Sequence, residues 1–173
     1  MIKYFAWLFP LIFIFHDMEE IIGMSTFLLK NKKFLEENYP FIISTYKDFS
    51  TEGFALAIYE ELIFCILLTA FFVFTDNHVV YYLWVGAFIG CIIHFIIHIG
   101  QCLVIRKYIP AFITSIVCLP ISCYILKMYL EFVNGFWGVF WIVIGFILVF
   151  VNLVLIQRVI GWFTRKMGLN PIL

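Results

Sequence analysis

Residues 13–23 read FIFHDMEEIIG and place His16, Asp17, Glu19 and Glu20 inside the first hydrophobic stretch of the chain. Apolar residues flank this run on both sides, over 4–15 and 21–29. Such charges would be unremarkable on a water-facing surface, but in so apolar a segment they lie within lipid. A carboxylate at the centre of a bilayer helix costs about 2.5–3.5 kcal/mol on insertion scales. Asp17, Glu19 and Glu20 together forbid insertion unless other groups offset them. The chain supplies candidates: Glu60 and Glu61 in the second apolar segment, His94 and His98 in the third.

The composition agrees with a membrane setting. Of 173 residues, 65% are hydrophobic and 21% aromatic, more apolar surface than a soluble domain can hide. Lys plus Arg equals Asp plus Glu at 11 each, so no basic excess points to nucleic acid. Cys65, Cys91, Cys102, Cys118 and Cys123 all fall in hydrophobic segments and form no C-x-x-C pair. They read as small apolar packing residues rather than zinc or redox ligands. The N-terminus has the length of a signal peptide but lacks a small-residue cleavage site, so 4–29 reads as a retained span.

The pattern predicts an all-α polytopic membrane protein, a five-transmembrane-helix bundle forming a single domain over 1–173. The expected spans are 4–29, 53–74, 79–105, 110–133 and 136–160, each long enough to cross about 30 Å of hydrocarbon. Turns at 75–78, 106–109 and 134–135 join the later spans, with Pro110 suited to the first turn of the fourth. Residues 30–52 form the long connection, expected as an interfacial loop broken at Pro40. Pro120 is expected to kink the fourth span. The fifth span, nearly all apolar, with Gly138, Gly145 and Asn152, reads as peripheral scaffold.

Basic residues set the orientation. The side reached after the first span collects Lys30, Lys32, Lys33, Lys47, Arg106, Lys107, Arg158, Arg165 and Lys166, against Lys3 and Lys127 opposite. The positive-inside rule makes that side cytoplasmic, in the plasma membrane, with the N-terminus outside and the C-terminus inside.

Depth and direction indicate which polar groups meet. Residues 16–20, Glu60 and Glu61, and His94 and His98 all lie 7–13 residues from the basic end of their spans, in one layer. His16, Glu19 and Glu20 share a helical face by i, i+3, i+4 spacing, while Asp17 turns about 100° away. His94, His98 and Gln101 share another face. In the second span Ala57, Glu61, Cys65 and Thr69 make a small or polar stripe, which favours Glu61 as the inward carboxylate; Glu60 faces with Gly53, Phe64 and Leu67.

Imidazole nitrogen with carboxylate oxygen is ligand chemistry for zinc, iron or manganese. The metal candidates are His16, Glu19, Glu20, Glu60, Glu61, His94 and His98, with Gln101 supporting them from behind. The same residue types also serve a proton relay or a buried hydrogen-bond cluster. His78 sits in a turn, and Lys127 snorkels. Arg106, Lys107 and Tyr108 read as interfacial anchors, with lipid headgroup contact as the sharper alternative.

His16-Asp17-Met18-Glu19-Glu20 in a first span resembles the HXXEE-domain family of small bacterial membrane proteins. His98 and Gln101 followed by Arg106-Lys107-Tyr108-Ile109-Pro110 are also similar to that family, whose members carry a basic-Tyr-x-Pro-Gly stretch. Ala111 stands where the glycine would be. The resemblance covers about the first two-thirds of the chain. It implies a shared architecture and functional weight on His16, Glu19, Glu20 and His98, and implies no activity.

The residues themselves favour an intramembrane metal-dependent hydrolase acting on a lipid or lipid-like substrate. One divalent ion, zinc by preference, is held by His16, His94 and His98 with a glutamate, and lowers the pKa of a bound water toward 7. A free glutamate, Glu19, Glu20 or Glu61, acts as general base. The three-histidine set is loosely similar to membrane ceramidase-type zinc hydrolases, by analogy alone. The alternatives are a di-iron oxidase or desaturase-like enzyme on the carboxylate-rich set, and a non-enzymatic proton- or cation-conducting, resistance or immunity protein.

Overall fold

Apolar periods of this length, with few internal breakers, produce helices. In the computed structural model, which describes residues 2–169 and 171–172 apart from the side chains of Ile2 and Gln157, no strand occurs among the described residues. A 3-10 helix over Ile2–Trp7 leads into α1 (Leu8–Asn38). Then follow α2 (Pro40–Thr45), α3 (Thr51–Phe74), α4 (His78–Ile105), α5 (Phe112–Leu130) and α6 (Gly135–Lys166).

Four of these, α3 to α6, are long and apolar enough to cross a membrane. The fifth long helix, α1, runs beside them from one end of the bundle to the other. Near its start Lys3 pairs with Asp76, 2.6 Å away at the turn between α3 and α4. Just past its end the Tyr39 hydroxyl donates to Val104 O near the end of α4 at 3.4 Å. Phe15, Ile22, Phe71, Ile96 and Leu155 are among many large apolar side chains left exposed around the bundle. That distribution suits lipid as the surrounding solvent. The chain is an all-helical polytopic membrane protein.

Several element ends depart from the sequence expectation. The first span does not stop at 29. Residues 30–38, KNKKFLEEN, are mostly good helix formers, so α1 continues to Asn38. Tyr39 leaves the helix at φ −140, as the residue before a proline does, and Pro40 opens α2. The expected interfacial loop 30–52 is therefore helical over most of its length. His78 is the first residue of α4 rather than a turn residue, because Asn77 Oδ1 caps the helix by accepting from Val79 N at 2.8 Å. The last helix runs to Lys166 instead of 160. Pro120 lies inside α5, which continues through it.

Pro110 precedes α5 instead of opening it. Ala111 takes the left-handed conformation at φ 80 as the N-cap. This is the place where the resembling proteins carry glycine, the residue that adopts such a backbone without strain. Pro110 packs on α1: a Cβ added to Gly23 would meet Pro110 Cγ at 2.7 Å. That close approach brings the start of α5 against the middle of α1.

α6 is not peripheral. It makes the most extensive helix pairing of the bundle, with α4, and it also packs on α3. The pairing is backbone on backbone. A Cβ at Gly86 would meet Ile142 O at 2.1 Å, and one at Gly145 would meet Leu83 O at 2.4 Å. Small residues at helix crossings are the usual means of close packing in lipid. We expect Gly86→Ala to force the helices apart, at about 1–3 kcal/mol, more than the gain of about 1 kcal/mol in helix propensity. Gly100→Ala, with nothing within 4 Å of the added carbon, should leave stability unchanged or raise it. Thermal unfolding in one detergent checks the pair; equal midpoints would refute the close crossing.

Two apolar cores fill the interior. One gathers Phe9, Phe72, Trp84, Phe88 and Tyr129 towards one end of the bundle. The other gathers Leu28, Leu35, Phe49, Phe54, Ile105 and Ile160 towards the basic end. The buried polar residues of α1 and α4 lie in the layer between them.

Candidate metal centre

The site starts from two helical repeats. His16 and Glu20 are one turn apart on α1, and His94 and His98 are one turn apart on α4. Each pair therefore projects from one side of its helix. Facing each other, the four side chains bring one ligand atom apiece within 4.8 Å of one another. Glu20 Oε1 is the hub. It lies 2.6 Å from His98 Nε2, 3.6 Å from His94 Nε2 and 3.9 Å from His16 Nε2. The two histidine Nε2 atoms of α4 are 3.0 Å apart.

Tetrahedral bonds of about 2.0–2.2 Å would set ligand atoms about 3.3–3.6 Å apart. The observed separations bracket that range. His16, Glu20 and His98 are buried, at 0%, 6% and 6% exposure, and His94 is partly buried. Despite the 2.6 Å approach to His98, Glu20 Oε1 has no partner with hydrogen-bond geometry, and neither has His16 Nε2. Buried polar atoms left without partners are uncommon. His94 and His98 Nε2 are within hydrogen-bond distance of each other, while the lone pairs of Glu20 Oε1 and His16 Nε2, unpartnered beside them, fit a cation in their midst. This buried group can hold a metal ion.

His16 is oriented from behind. Its Nδ1 lies 3.2 Å from the Thr114 hydroxyl of α5. Thr114 Oγ1 has one proton, and its shortest acceptor is Glu19 Oε2 at 2.7 Å. The hydroxyl thus donates to Glu19 and accepts from His16 Nδ1–H, which leaves the Nε2 lone pair facing the cluster. An outer partner that fixes a ligand's tautomer in this way is common at metal sites. The other nitrogen of His98, Nδ1, is buried without a partner.

Glu19 is therefore not with the histidine set. Its carboxylate accepts from Thr114 N at 2.8 Å, Ile113 N at 3.4 Å and the Tyr108 hydroxyl, besides the Thr114 hydroxyl. It caps the first turn of α5 from another helix, where free N–H groups and the helix dipole favour an anion. Asp17, which the helical wheel turned away, is 4% exposed, and its Oδ2 is buried without a partner. Glu61 also has a buried, unpartnered oxygen, Oε1. Glu60 is exposed on the outer side of α3 and accepts from Asn152 Nδ2 of α6 at 3.3 Å, so it does not join the cluster.

A cavity of about 490 Å³ runs from this cluster towards α2. Asp17, Glu20, Glu61, His94, His98 and Gln101 border it on one side, and apolar residues such as Phe27, Phe54, Ile105 and Ile156 form most of the rest. Gln101 lies on this wall, itself exposed. Around the α4–α5 turn, Lys107 Nζ sits 4.5 Å over the Phe34 ring and Arg106 is exposed. Burial, then the Glu19 carboxylate it donates to, push the Tyr108 hydroxyl up to about 12.

Sequence reasoning missed Thr114 and Asp17. A threonine three residues after Ala111, in the first turn of an apolar helix, was the available signal for the former. Asp17 had only its place inside an apolar segment.

Fold and site together define a helical membrane protein with a buried three-histidine, one-glutamate group between its helices. The chain belongs to the HXXEE family, described as a protein of unknown function with HXXEE motif, which it matches over residues 7–125. No curated protein and no solved structure matches it. In this chain the motif divides: His16 and Glu20 join the histidines of α4, while Glu19 holds α5 in place.

Proposed function

We propose that the protein is an intramembrane metalloenzyme, with zinc as the preferred ion, that hydrolyses an amide or ester bond in a lipid-like substrate. The observation that carries this reading is the cavity. It joins the buried histidines and glutamates to a long apolar wall, within the size range of small-ligand sites. An apolar chain can lie along Phe27, Phe54 and Ile156 while its polar linkage reaches the His–Glu end.

When bound, the ion would act as a Lewis acid and bring the pKa of a water toward 7. The protein's own groups do the rest. His16, His94, His98 and Glu20 hold the ion, and Thr114 keeps His16 in the ligating tautomer. Glu61, with Oε1 free towards the cavity, takes a proton from the water that adds to the carbonyl carbon. It returns that proton to the leaving oxygen or nitrogen as the bond breaks. The apolar wall excludes competing water. In this reading the face bearing Lys30–Lys33, Arg106 and Arg165 is cytoplasmic, so the substrate enters from the inner leaflet.

Glu61→Gln keeps the size of the side chain while removing the base. Cells expressing the wild type should deplete an amide- or ester-linked lipid that cells expressing Glu61→Gln retain, with equal metal in both purified proteins. Identical lipid profiles across these classes would overturn the hydrolase reading and leave a metal-holding protein without turnover.

A further inference from the structure

The face that carries most of the basic residues has a second, open recess of about 520 Å³ between the end of α2 and the end of α6. Lys47, Asp48, Arg158, Trp162 and Arg165 line it. Arg165 Nη1 donates to Asp48 Oδ2 at 2.9 Å. Among the described residues no carboxylate comes within ion-pair distance of Lys47 or Arg158. Lys166 Nζ adds a further cation 4.7 Å over the Trp162 ring.

The recess is built rather than incidental. The Ser50 and Thr164 hydroxyls, both buried, are 2.7 Å apart and fasten the segment after α2 to α6. Phe49 O accepts from Ile172 N at 2.9 Å, which ties Ile172 beside it. Gly161 of α6 lies beside this segment, with Asp48 Cβ within van der Waals reach, 3.4 Å, of where its own Cβ would stand. With 32 residues, α6 is about 48 Å long, so its last turns reach past about 30 Å of hydrocarbon to the headgroup level. Thr45, Tyr46 and Ile160 line both this recess and the cavity of the metal centre, so the two are neighbours across a thin wall.

We propose that this recess binds a phosphate group, with Lys47 and Arg158 as its unpaired cations and Arg165 shared between the phosphate and Asp48. Arginine forks match phosphate oxygens, and basic pockets at this depth suit anionic headgroups. The turn at Arg106–Tyr108 offers less convergence, since Tyr108 is committed to Glu19 and Lys107 to Phe34. Arg158 and Arg165 lie beyond the residues matched to the family, so the site belongs to this chain's own C-terminal helix. It depends on neither the bound ion nor turnover.

The test uses the purified full chain in mixed micelles at fixed salt, titrated with phosphatidic acid, phosphatidylcholine or inorganic phosphate, with metal content read in each sample. Phosphatidic acid is expected to bind. The double variant Lys47→Gln/Arg158→Gln should bind it about 30-fold more weakly, two basic contacts having been lost. Asp48→Asn should bind it more tightly than wild type, because Arg165 is released to the ligand. Binding of phosphatidic acid without inorganic phosphate assigns the site to a lipid headgroup. Comparable binding of inorganic phosphate assigns it to a soluble phosphate ligand, and either result supports the site. Equal binding of phosphatidylcholine and phosphatidic acid, or unchanged affinity in the double variant, would overturn it.

Discussion

Protein purified gently, without chelator, should carry one transition-metal ion per chain, and Glu20→Ala and His98→Ala should each lose it. Glu20 Oε1 approaches all three histidines, and His98 Nε2 comes closest to it at 2.6 Å. No other carboxylate among the described residues belongs to the group, so none replaces Glu20. The loss should also destabilise the fold. Removing one partner of a buried charged pair typically costs about 3–5 kcal/mol, because the remaining group stays buried and unmatched. Metal affinity is folding free energy where ligands come from separate helices, here α1 and α4. Elemental analysis and thermal unfolding of the same samples check both parts. Wild-type metal well below one ion per chain, or a His98→Ala variant with full stability, would favour a hydrogen-bonded proton relay instead.

The histidine cluster is legible in the sequence because its information is local. An i, i+4 repeat fixes a helical face, and distance from a span's end fixes depth; His16, Glu20, His94 and His98 need nothing more. The roles of Glu19 and Asp17 needed more. A helical wheel gives the angle between neighbours but not which helix stands at each angle. Glu19 is claimed by α5, and α5 reaches it only through the Gly23–Pro110 contact and the left-handed Ala111. Both are long-range or conformational facts with weak sequence marks. Asp17 is then left on the side facing the cavity with Glu61.

Similar reasons explain the helix ends and α6. Charged residues at 30–37 signalled exit from the membrane, and exit from the membrane was read as the end of the helix. The two differ: Lys, Glu and Leu keep a helix going in water until Pro40 stops it. The final helix looked peripheral because it has few polar residues. Its closest approaches to α4 are at Gly86 and Gly145, whose contribution is the absence of a side chain.

The two glutamates of the motif should separate cleanly on mutation. Glu19→Ala removes the acceptor for Thr114 N, Thr114 Oγ1, Ile113 N and the Tyr108 hydroxyl. The first-turn N–H groups of α5 then face a partly buried interface without that acceptor. Water can replace Glu19 at the exposed Ile113 N and Tyr108 hydroxyl, so the cost falls mainly on the part-buried Thr114 groups, about 1–3 kcal/mol. The ion should nevertheless stay, since none of its four ligand residues is altered. Its affinity should fall by about 10–100-fold, because Thr114 loses the acceptor that directs its proton and no longer fixes the His16 tautomer. Thr114→Val isolates this second effect: it keeps the helix N–H bonds to Glu19 and removes only the hydroxyl between Glu19 and His16. It should weaken the ion with a smaller loss of stability than Glu19→Ala. Glu19→Gln keeps one oxygen acceptor and sets an NH2 donor in place of the other, facing N–H or O–H donors, so it should recover only part of the stability. The measurements are chelator competition for affinity and thermal unfolding for stability on all three variants beside Glu20→Ala. If Glu19→Ala empties the site as completely as Glu20→Ala does, Glu19 is a ligand, and the division of the motif between ion and helix cap is wrong.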